Sequence, residues 1–270
     1  MQHLFSSDEG RRRLAEFAAP GLLCAFDFDG TLTPIISHPG DVRLPEDMRA
    51  RLARLQEHAP VAIVTGRSLA DIAPRLGFTP DLLVGNHGLE GLPGARAAEL
   101  AELHLRVCAG WRRQLDTLLA AELPDPGIEI EDKRYSLSVH YRHARAPEAA
   151  RAELEPLLLG LEPSPRVVAG KCVYNLMPAD AGNKGTAMAT LIDESAARAA
   201  VYIGDDVTDE DVFRVGRADL LSIRVDAGAD DSAASYYLRG VEEVGLLVEQ
   251  LTERLGAAGA RNWLRDRTGV

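Results

Sequence analysis

The sequence predicts an α/β fold with a parallel sheet that an inserted α+β domain interrupts. Two observations lead to this prediction. Short apolar runs that end in polar clusters alternate with helical patterns, and the alternation stops after Gly85 and returns near Lys184. A chain of 270 residues, 46% of them hydrophobic, has room for one large domain or two modest ones.

The core elements follow from this alternation. The predicted parallel strands are Leu22–Phe26, Val61–Val64, Leu82–Val84 and Ala200–Ile203. The predicted helices between them are Pro45–His58, Leu69–Leu76 and Lys184–Asp193. Ligands of open parallel sheets bind beyond the carboxyl ends of the strands. We therefore expect the functional residues directly after the apolar runs.

The inserted segment has a different pattern. An Ala/Leu-rich helix from Ala97 to Leu123 is followed by the strands Ile128–Asp132 and Ser136–Arg142, the helix Pro147–Leu159, and the strands Arg166–Ala169 and Cys172–Leu176. This α-β-β-α-β-β order predicts a second domain at residues 103–180, inserted into a core made of residues 1–102 and 181–270.

The charge and the cysteines exclude several classes of protein. A net charge of −11 argues against a nucleic-acid surface, which needs clustered Lys and Arg. Three widely spaced cysteines indicate neither a disulfide framework nor a zinc site. We see no signal peptide and no apolar run of membrane-spanning length, so a cytoplasmic protein without membrane partners is expected. The oligomeric state stays open, with a monomer favoured.

Five acidic residues follow the predicted strands and should meet at one edge of the sheet. They are Asp27, Asp29, Asp205, Asp206 and Asp209. Their mutual repulsion is costly unless a cation neutralises it, and ligands that are all oxygen favour Mg²⁺. The other polar clusters at strand or helix ends are Thr65-Gly66-Arg67, Gly85-Asn86-His87-Gly88 and Asn183-Lys184-Gly185.

These residues resemble the four signature motifs of the haloacid dehalogenase superfamily, in the required order. The resemblance implies a Rossmann-like core with a cap, Asp27 as a transiently phosphorylated nucleophile, and Asp29 as general acid and base. It implies Mg²⁺ held by Asp27, the backbone carbonyl of Asp29, and Asp205, with Asp206 and Asp209 acting directly or through water. Thr65 and Lys184 would hold the phosphoryl oxygens, and Gly30 and Thr31 would turn the chain beneath the phosphate, where amides donate to it.

Alternation along the inserted strands separates two faces. Ile128, Ile130, Leu137, Val139, Tyr141, Cys172, Tyr174 and Leu176 form an apolar face. Glu129, Glu131, Lys133, Ser138, His140, Arg142, Lys171, Val173 and Asn175 form the other. This polar face has two interpretations: a solvated outer surface, or a site for a ligand rich in hydroxyl groups.

Several short segments resemble trehalose-6-phosphate phosphatases more closely. They include Asp29–Ile35, Glu131-Asp132-Lys133, His140-Tyr141-Arg142, Gly170-Lys171 and Gly204–Phe213. The resemblance implies hydrolysis of trehalose 6-phosphate, the last step of trehalose biosynthesis. It implies sugar contacts from Glu131, Lys133, Arg142 and Lys171, and a pocket mouth lined by Gly66, Arg67, Asn86 and His87. Many members of the family have Glu where this sequence has Asn175, which can bond to hydroxyls but brings no charge.

Three alternatives stay open. Related capped phosphatases act on sucrose, mannosylglycerate or glucosylglycerol phosphates, with the same chemistry. A receiver-like phospho-acceptor switch also uses a strand-end Asp, Mg²⁺ and a Lys, but Asp29 and the insertion argue against it. A regulatory lectin-like protein would bind the sugar phosphate without turnover, and no catalytic residue is missing to suggest it.

Overall fold

The computed structural model describes residues 1–36, 39–226, 228 and 231–259. The core strands are β1 (Gln2–His3), β2 (Leu22–Phe26), β3 (Val61–Val64), β4 (Leu82–Val84), β9 (Ala199–Gly204), β10 (Leu220–Val225) and β11 (Tyr236–Leu238). The core helices are α1 (Asp8–Phe17), α2 (Glu46–Gln56), α3 (Leu69–Leu76), α6 (Lys184–Ser195), α7 (Glu210–Phe213) and α8 (Val241–Ala257). The segment between them contains α4 (Ala95–Glu122), β5 (Glu129–Asp132), β6 (Leu137–His140), α5 (Pro147–Leu159), β7 (Arg166–Gly170) and β8 (Val173–Met177).

The described residues divide into two compact units. One, the core unit, comprises Met1–Pro93 and the chain from Gly182 onward, and the other, the inserted unit, comprises Gly94–Ala181. The inserted unit begins before residue 103, the boundary expected from the sequence, because α4 runs without interruption from Ala95. None of the helices among the described residues combines the length and apolar composition that crossing a membrane requires.

The core unit has a seven-stranded sheet in the order β1-β11-β10-β9-β2-β3-β4, and its paired strands are all parallel. The predicted α/β fold class is confirmed. β2, β3 and β4 have the predicted bounds, whereas β1, β10 and β11 were not predicted. β1 and β11 are too short to show a period, and Ser222 and Arg224 interrupt the apolar pattern of β10.

Helices cover both faces of this sheet. Along β2, Leu22, Cys24 and Phe26 belong to a core formed with α1, α2 and α8, whereas Leu23 and Ala25 belong to a core formed with α6 and α7. Burying a large apolar side chain stabilises the fold by roughly 1.5–3 kcal/mol. Because β2 is buried on both faces, its position is firmly fixed, and so is that of Asp27, which follows it.

Local capping fixes the helix that carries the candidate lysine. Asn183 accepts a hydrogen bond from the Thr186 amide (2.9 Å), and the Thr186 hydroxyl receives one from the Asn183 amide (2.8 Å). This reciprocal arrangement satisfies two backbone donors that would otherwise lack partners at the start of the helix. It places Lys184 at the first residue of α6.

The inserted unit contains an antiparallel sheet in the order β5-β6-β8-β7. The predicted apolar face is present, since Leu137, Val139, Tyr174 and Leu176 are buried in one cluster with residues of α4 and α5. On the other face, the register places Glu131 opposite Ser138, and Ser138 opposite Asn175. These polar residues therefore form one row across the sheet.

Candidate active site

Three carboxylates from two adjacent strand ends meet at the carboxyl edge of the core sheet. Asp27 follows β2, and Asp205 and Asp209 follow β9, the strand that pairs with β2. One carboxylate oxygen from each residue lies within 4.8 Å of the others. The amide of Asp27 donates to the carbonyl of Ile203 (2.8 Å). This bond extends the hydrogen bonding between β2 and β9 as far as the first residue of the site.

Lys184 joins two of these carboxylates. Its Nζ donates to Oδ1 of Asp27 (2.7 Å) and to Oδ1 of Asp209 (2.8 Å). The side chains are almost fully enclosed, with exposed fractions of 2% for Lys184, 5% for Asp27 and 0% for Asp209. Burial acts to lower the pKa of Lys184, but the two carboxylates outweigh it and raise the pKa above its usual value. Lys184 is therefore a fixed positive charge.

Asp209 is anchored by donors on both oxygens. Tyr202 donates its hydroxyl to Oδ1 (2.6 Å), and the amide of Asp206 donates to Oδ2 (2.9 Å). Burial, reinforced by the charge of Asp209, raises the pKa of the Tyr202 hydroxyl well above its usual value, so Tyr202 keeps its proton. Asp209 therefore holds Lys184 in place and shapes the loop after β9.

Gly30 and Thr31 form the contact between Asp205 and the loop after β2. The Thr31 hydroxyl donates to Oδ1 of Asp205 (2.9 Å). Gly30 has a φ of +83°, and a Cβ atom there would lie 2.0 Å from Oδ2 of Asp205. This position therefore requires glycine for its conformation and for its closeness to the carboxylate.

The electrostatics of this group fit a divalent cation. Burial raises the pKa of Asp27 to about 8, against the opposing effect of Lys184. Burial likewise raises the pKa of Asp205 to about 6. When ionised, the three carboxylates and Lys184 carry two net negative charges, and a divalent cation would neutralise them. The all-oxygen donors of Asp27, Asp205 and Asp209 suit a hard cation.

Asp206 lies outside this cluster. It is exposed and forms the N-cap of the short 3₁₀ helix Val207–Asp209, where Oδ1 accepts from the Val207 amide (2.7 Å). The predicted metal role of Asp206, whether direct or through water, stays a prediction, as do the other assigned roles.

Thr65 and Arg67 follow β3, on the other side of β2. Thr65 is buried, and its hydroxyl accepts from the amide of Arg67 (3.2 Å). The guanidinium of Arg67 contacts both carboxylate oxygens of Asp29, at 2.6 and 2.7 Å. Asp29, the predicted acid–base residue, is thus paired with Arg67, which the family resemblance places at the pocket mouth.

The loop after β4 supports the start of α6. Asn86 and His87 have left-handed φ values of 49° and 57°, and a Cβ at Gly88 would lie 2.7 Å from the carbonyl of Asn183. The His87 ring lies so close to Gly66 that a Cβ there would be 2.4 Å from it. Glycines at both positions let this loop approach the strand and helix ends that carry Thr65 and Lys184.

The inserted unit contains the remaining predicted residues. Glu131, Arg142 and Lys171 are exposed, and Lys133 and Asn175 are partly buried. His140 Nε2 donates to Glu131 (2.9 Å), and the Ser138 hydroxyl donates to Oδ1 of Asn175 (2.7 Å). These bonds connect side chains of the polar face, and their role in sugar binding stays a prediction.

Sequence reasoning missed three supporting groups. Tyr202 lies in the apolar strand β9, and its hydroxyl was the one feature of that strand that could have indicated a polar role. Glu90 is buried and accepts from the Asn86 side chain (2.9 Å) and the Leu69 amide (2.8 Å). Arg224 donates to the Asp205 carbonyl (2.7 Å) and to Glu210 (3.0 Å). No spacing rule predicts Arg224, because its partners are 14 and 19 residues away, and Glu90 joins the nearby Asn86 to Leu69, which is 21 residues away.

Comparison with known proteins gives consistent matches. A family model described as trehalose-phosphatase matches residues 25–242. The chain is 31% identical over 267 residues to a trehalose 6-phosphate phosphatase of Zea mays, covering 90% of this chain and 73% of that protein. It is 32% identical over 246 residues to a trehalose-phosphate phosphatase of Mycobacterium avium, covering 85% of this chain but 62% of that protein.

Among solved structures, that of Aspergillus fumigatus trehalose-6-phosphate phosphatase is similar, with a TM-score of 0.67 and 27% identity. The match covers 90% of this chain and 97% of that one. The similarity thus extends through both the core unit and the inserted unit.

Proposed function

The chain belongs to the trehalose-phosphatase family, and from this we propose that it hydrolyses trehalose 6-phosphate to trehalose and phosphate. The observation that carries the proposal is the buried contact of Lys184 with Asp27 and Asp209, at 2.7 and 2.8 Å, beside Asp205. A fixed ammonium next to a strand-end carboxylate, within a set of oxygen donors for a divalent cation, is suited to phosphoryl transfer.

We assign the cation as Mg²⁺, held by the carboxylates of Asp27 and Asp205 and by the backbone carbonyl of Asp29, with Asp209 and Asp206 in support. When bound, Mg²⁺ supplies positive charge to the phosphoryl oxygens and keeps Asp27 ionised. This assignment is supported by the raised pKa of Asp27, about 8, which calls for an additional positive charge if the nucleophile is to be a carboxylate at neutral pH.

Asp27 performs the first displacement. One of its carboxylate oxygens bonds to phosphorus as the bond from phosphorus to the sugar oxygen breaks, giving an aspartyl-phosphate and free sugar. Asp29 donates the proton that the departing sugar oxygen needs. Lys184 and the hydroxyl of Thr65 stabilise the negative charge on the phosphoryl oxygens.

Water performs the second displacement. Asp29, now a carboxylate, takes a proton from the water that attacks phosphorus, and the bond between phosphorus and Asp27 breaks. Inorganic phosphate leaves, Asp27 is again a carboxylate, and Asp29 is again protonated. The two steps together consume one water and return the enzyme unchanged.

Sugar recognition is assigned to the polar face of the inserted sheet. We propose Glu131, Lys133, Arg142 and Lys171 as contacts to the sugar hydroxyls, with Asn175 beside them. Charged groups form stronger hydrogen bonds with neutral hydroxyls than neutral groups do. Sucrose, mannosylglycerate and glucosylglycerol phosphates are the competing substrates. The cytoplasmic location expected from the sequence stays a prediction.

The test is phosphate release from this panel of sugar phosphates with added Mg²⁺. We expect trehalose 6-phosphate to have the highest kcat/KM, and a better competitor would replace it as the substrate. Asp27→Asn should abolish release without loss of fold, as judged by circular dichroism. Asp47→Asn is the matched control, because Asp47 is an exposed helix residue paired with Arg51. Retained turnover in Asp27→Asn would rule out the proposed nucleophile.

A further inference from the structure

Arg67 forms a forked contact with the predicted acid–base residue. Its Nε donates to Oδ2 of Asp29 (2.6 Å), and its Nη2 donates to Oδ1 (2.7 Å). The Arg67 side chain is only 12% exposed, whereas that of Asp29 is 40% exposed. A planar guanidinium that contacts both oxygens fixes the plane of the carboxylate as well as its distance.

Arg67 is itself held by groups other than Asp29. Its Nη1 donates to Asp71 (2.7 Å), and Asp71 also accepts from Arg75. Its backbone amide donates to the Thr65 hydroxyl (3.2 Å), and its carbonyl accepts from the Asn86 amide (2.8 Å). The guanidinium is therefore held by Asp71 of α3, and the backbone of Arg67 by Thr65 and by the loop after β4, independently of Asp29.

This arrangement matters because Asp29 lies on a turn. Gly30, the next residue, has a φ of +83°, and the Asp29 side chain is the more exposed partner of the pair. The more buried partner, Arg67, sets the orientation of the more exposed one, because the entropy of fixing Arg67 is already lost in the fold. After Asp29 gives up its proton, each of its oxygens has a donor in Arg67.

We propose that Arg67 is a positioning residue for Asp29 in both displacements. This role rests on the proposed function. Arg67 orients Asp29 toward the leaving sugar oxygen in the first displacement and toward the attacking water in the second. Arg67 acts through Asp29 in this role and does not bind the sugar. Its removal impairs the steps that move a proton and spares the attack of Asp27 on phosphorus.

The test compares p-nitrophenyl phosphate with trehalose 6-phosphate, because the leaving groups of these two substrates differ in their need for a proton. p-Nitrophenolate leaves unprotonated, whereas the sugar oxygen needs the proton of Asp29. In Arg67→Met, we expect a rapid burst of about one p-nitrophenolate per enzyme, followed by turnover that is slower by about 100-fold. With trehalose 6-phosphate, kcat should fall by about 100-fold at nearly constant KM. Asp29→Asn should also give the burst, and the double variant should be no slower than Asp29→Asn alone.

Arg217→Met is the matched control. Arg217 makes the same kind of fork with Asp219 (2.9 and 2.8 Å) and donates its Nη1 to Asp193 (2.8 Å), and its side chain forms no hydrogen bond with the described residues of the candidate site. This variant should keep the wild-type burst and turnover. Arg67→Lys keeps the charge without the fork, and it should restore only part of the lost rate. If Arg67→Met fails to fold, the comparison of Arg67→Lys with wild type decides the question through the same burst.

Two results would overturn the proposal. One is a higher KM for trehalose 6-phosphate at unchanged kcat in Arg67→Met, which would make Arg67 a substrate-binding residue. The other is a double variant slowed by the product of the two single effects, which would make Arg67 and Asp29 independent. Failure of the proposed function would be recognised separately, because the wild-type enzyme would then not turn over trehalose 6-phosphate, whatever the p-nitrophenyl phosphate burst shows.

Discussion

Replacing Lys184 tests the electrostatic basis of the site. Lys184→Met keeps most of the length and volume of the side chain but removes the ammonium between Asp27 and Asp209. The two carboxylates would then lie buried with Asp205 and no compensating lysine. The fold should lose stability for this reason, independently of any effect on catalysis.

The expected loss is large because all three partners are enclosed. Removing one partner of a buried ion pair costs about 3–5 kcal/mol, since it leaves an uncompensated buried charge. A second substitution, Asp209→Asn, removes one of those charges and keeps one of the two side-chain acceptors, which the Asp206 amide can use while the Tyr202 hydroxyl turns to accept from the new amide group. It should therefore stabilise the Lys184→Met variant, although the same change destabilises the wild-type protein.

The assay is urea unfolding followed by far-ultraviolet circular dichroism, with EDTA and then with excess Mg²⁺. Lys171→Met is the matched control, because Lys171 is exposed and its loss should change the free energy of unfolding by less than about 0.5 kcal/mol. Mg²⁺ should stabilise the folded protein by mass action, by about 2.7 kcal/mol at a hundred times its Kd. A Lys184→Met protein as stable as wild type in EDTA, or further destabilised by Asp209→Asn, would refute the reasoning.

Three further predictions concern the cation and the sugar. With EDTA, the melting temperature should fall as the pH rises from about 6 to about 8. Burial raises the pKa of Asp27 to about 8, so the stability that its protonation gives is lost as the pH passes this folded value. Carboxylates of lowered pKa, such as Asp71 and Glu210, act in the opposite direction, but they titrate below this range. Calorimetric melting checks this, and a fall that persists undiminished in Mg²⁺ would contradict it. Gly30→Ala should weaken Mg²⁺ binding in titration calorimetry by about tenfold or more, because its Cβ would lie 2.0 Å from Asp205. Gly40→Ala, with open space around its Cβ, is the control, and equal affinities would count against the steric argument. Asn175→Glu should lower the KM for trehalose 6-phosphate by about threefold to tenfold, because a carboxylate accepts stronger hydrogen bonds, and a raised KM would speak against that contact.

The sequence was most informative where a segment is buried on both faces. β2 and β3 have the predicted bounds because a strand enclosed by two helix layers is a short apolar run with polar ends. β1 and β11 could not be predicted in this way. They contain two and three residues, and their existence depends on backbone pairing with a neighbour distant in sequence.

For the site, strand-end position predicted that Asp27, Asp205 and Asp209 lie close together, but it did not predict which side chains pair. Asp27, Asp205 and Asp209 converge because β2 and β9 are neighbours, as expected for strand-end residues of a parallel sheet. The fork between Arg67 and Asp29 depends on side-chain directions and on distances of 2.6 and 2.7 Å, which no spacing along the sequence contains. Which side chains form hydrogen bonds with each other could therefore be learned only from the three-dimensional structure.

The position of β2 between β3 and β9 has a consequence for the growing chain on the ribosome. β3 and β4 follow β2 closely, but β9 emerges only after the whole inserted unit has been made. Until then, one edge of β2 has no partner strand, and such an edge is prone to pair with other chains. Lys184 and Asp209 are likewise not yet synthesised, so an incomplete chain cannot assemble the site in which Asp27 is the proposed nucleophile. The strand order thus leaves an unfinished chain without the candidate site.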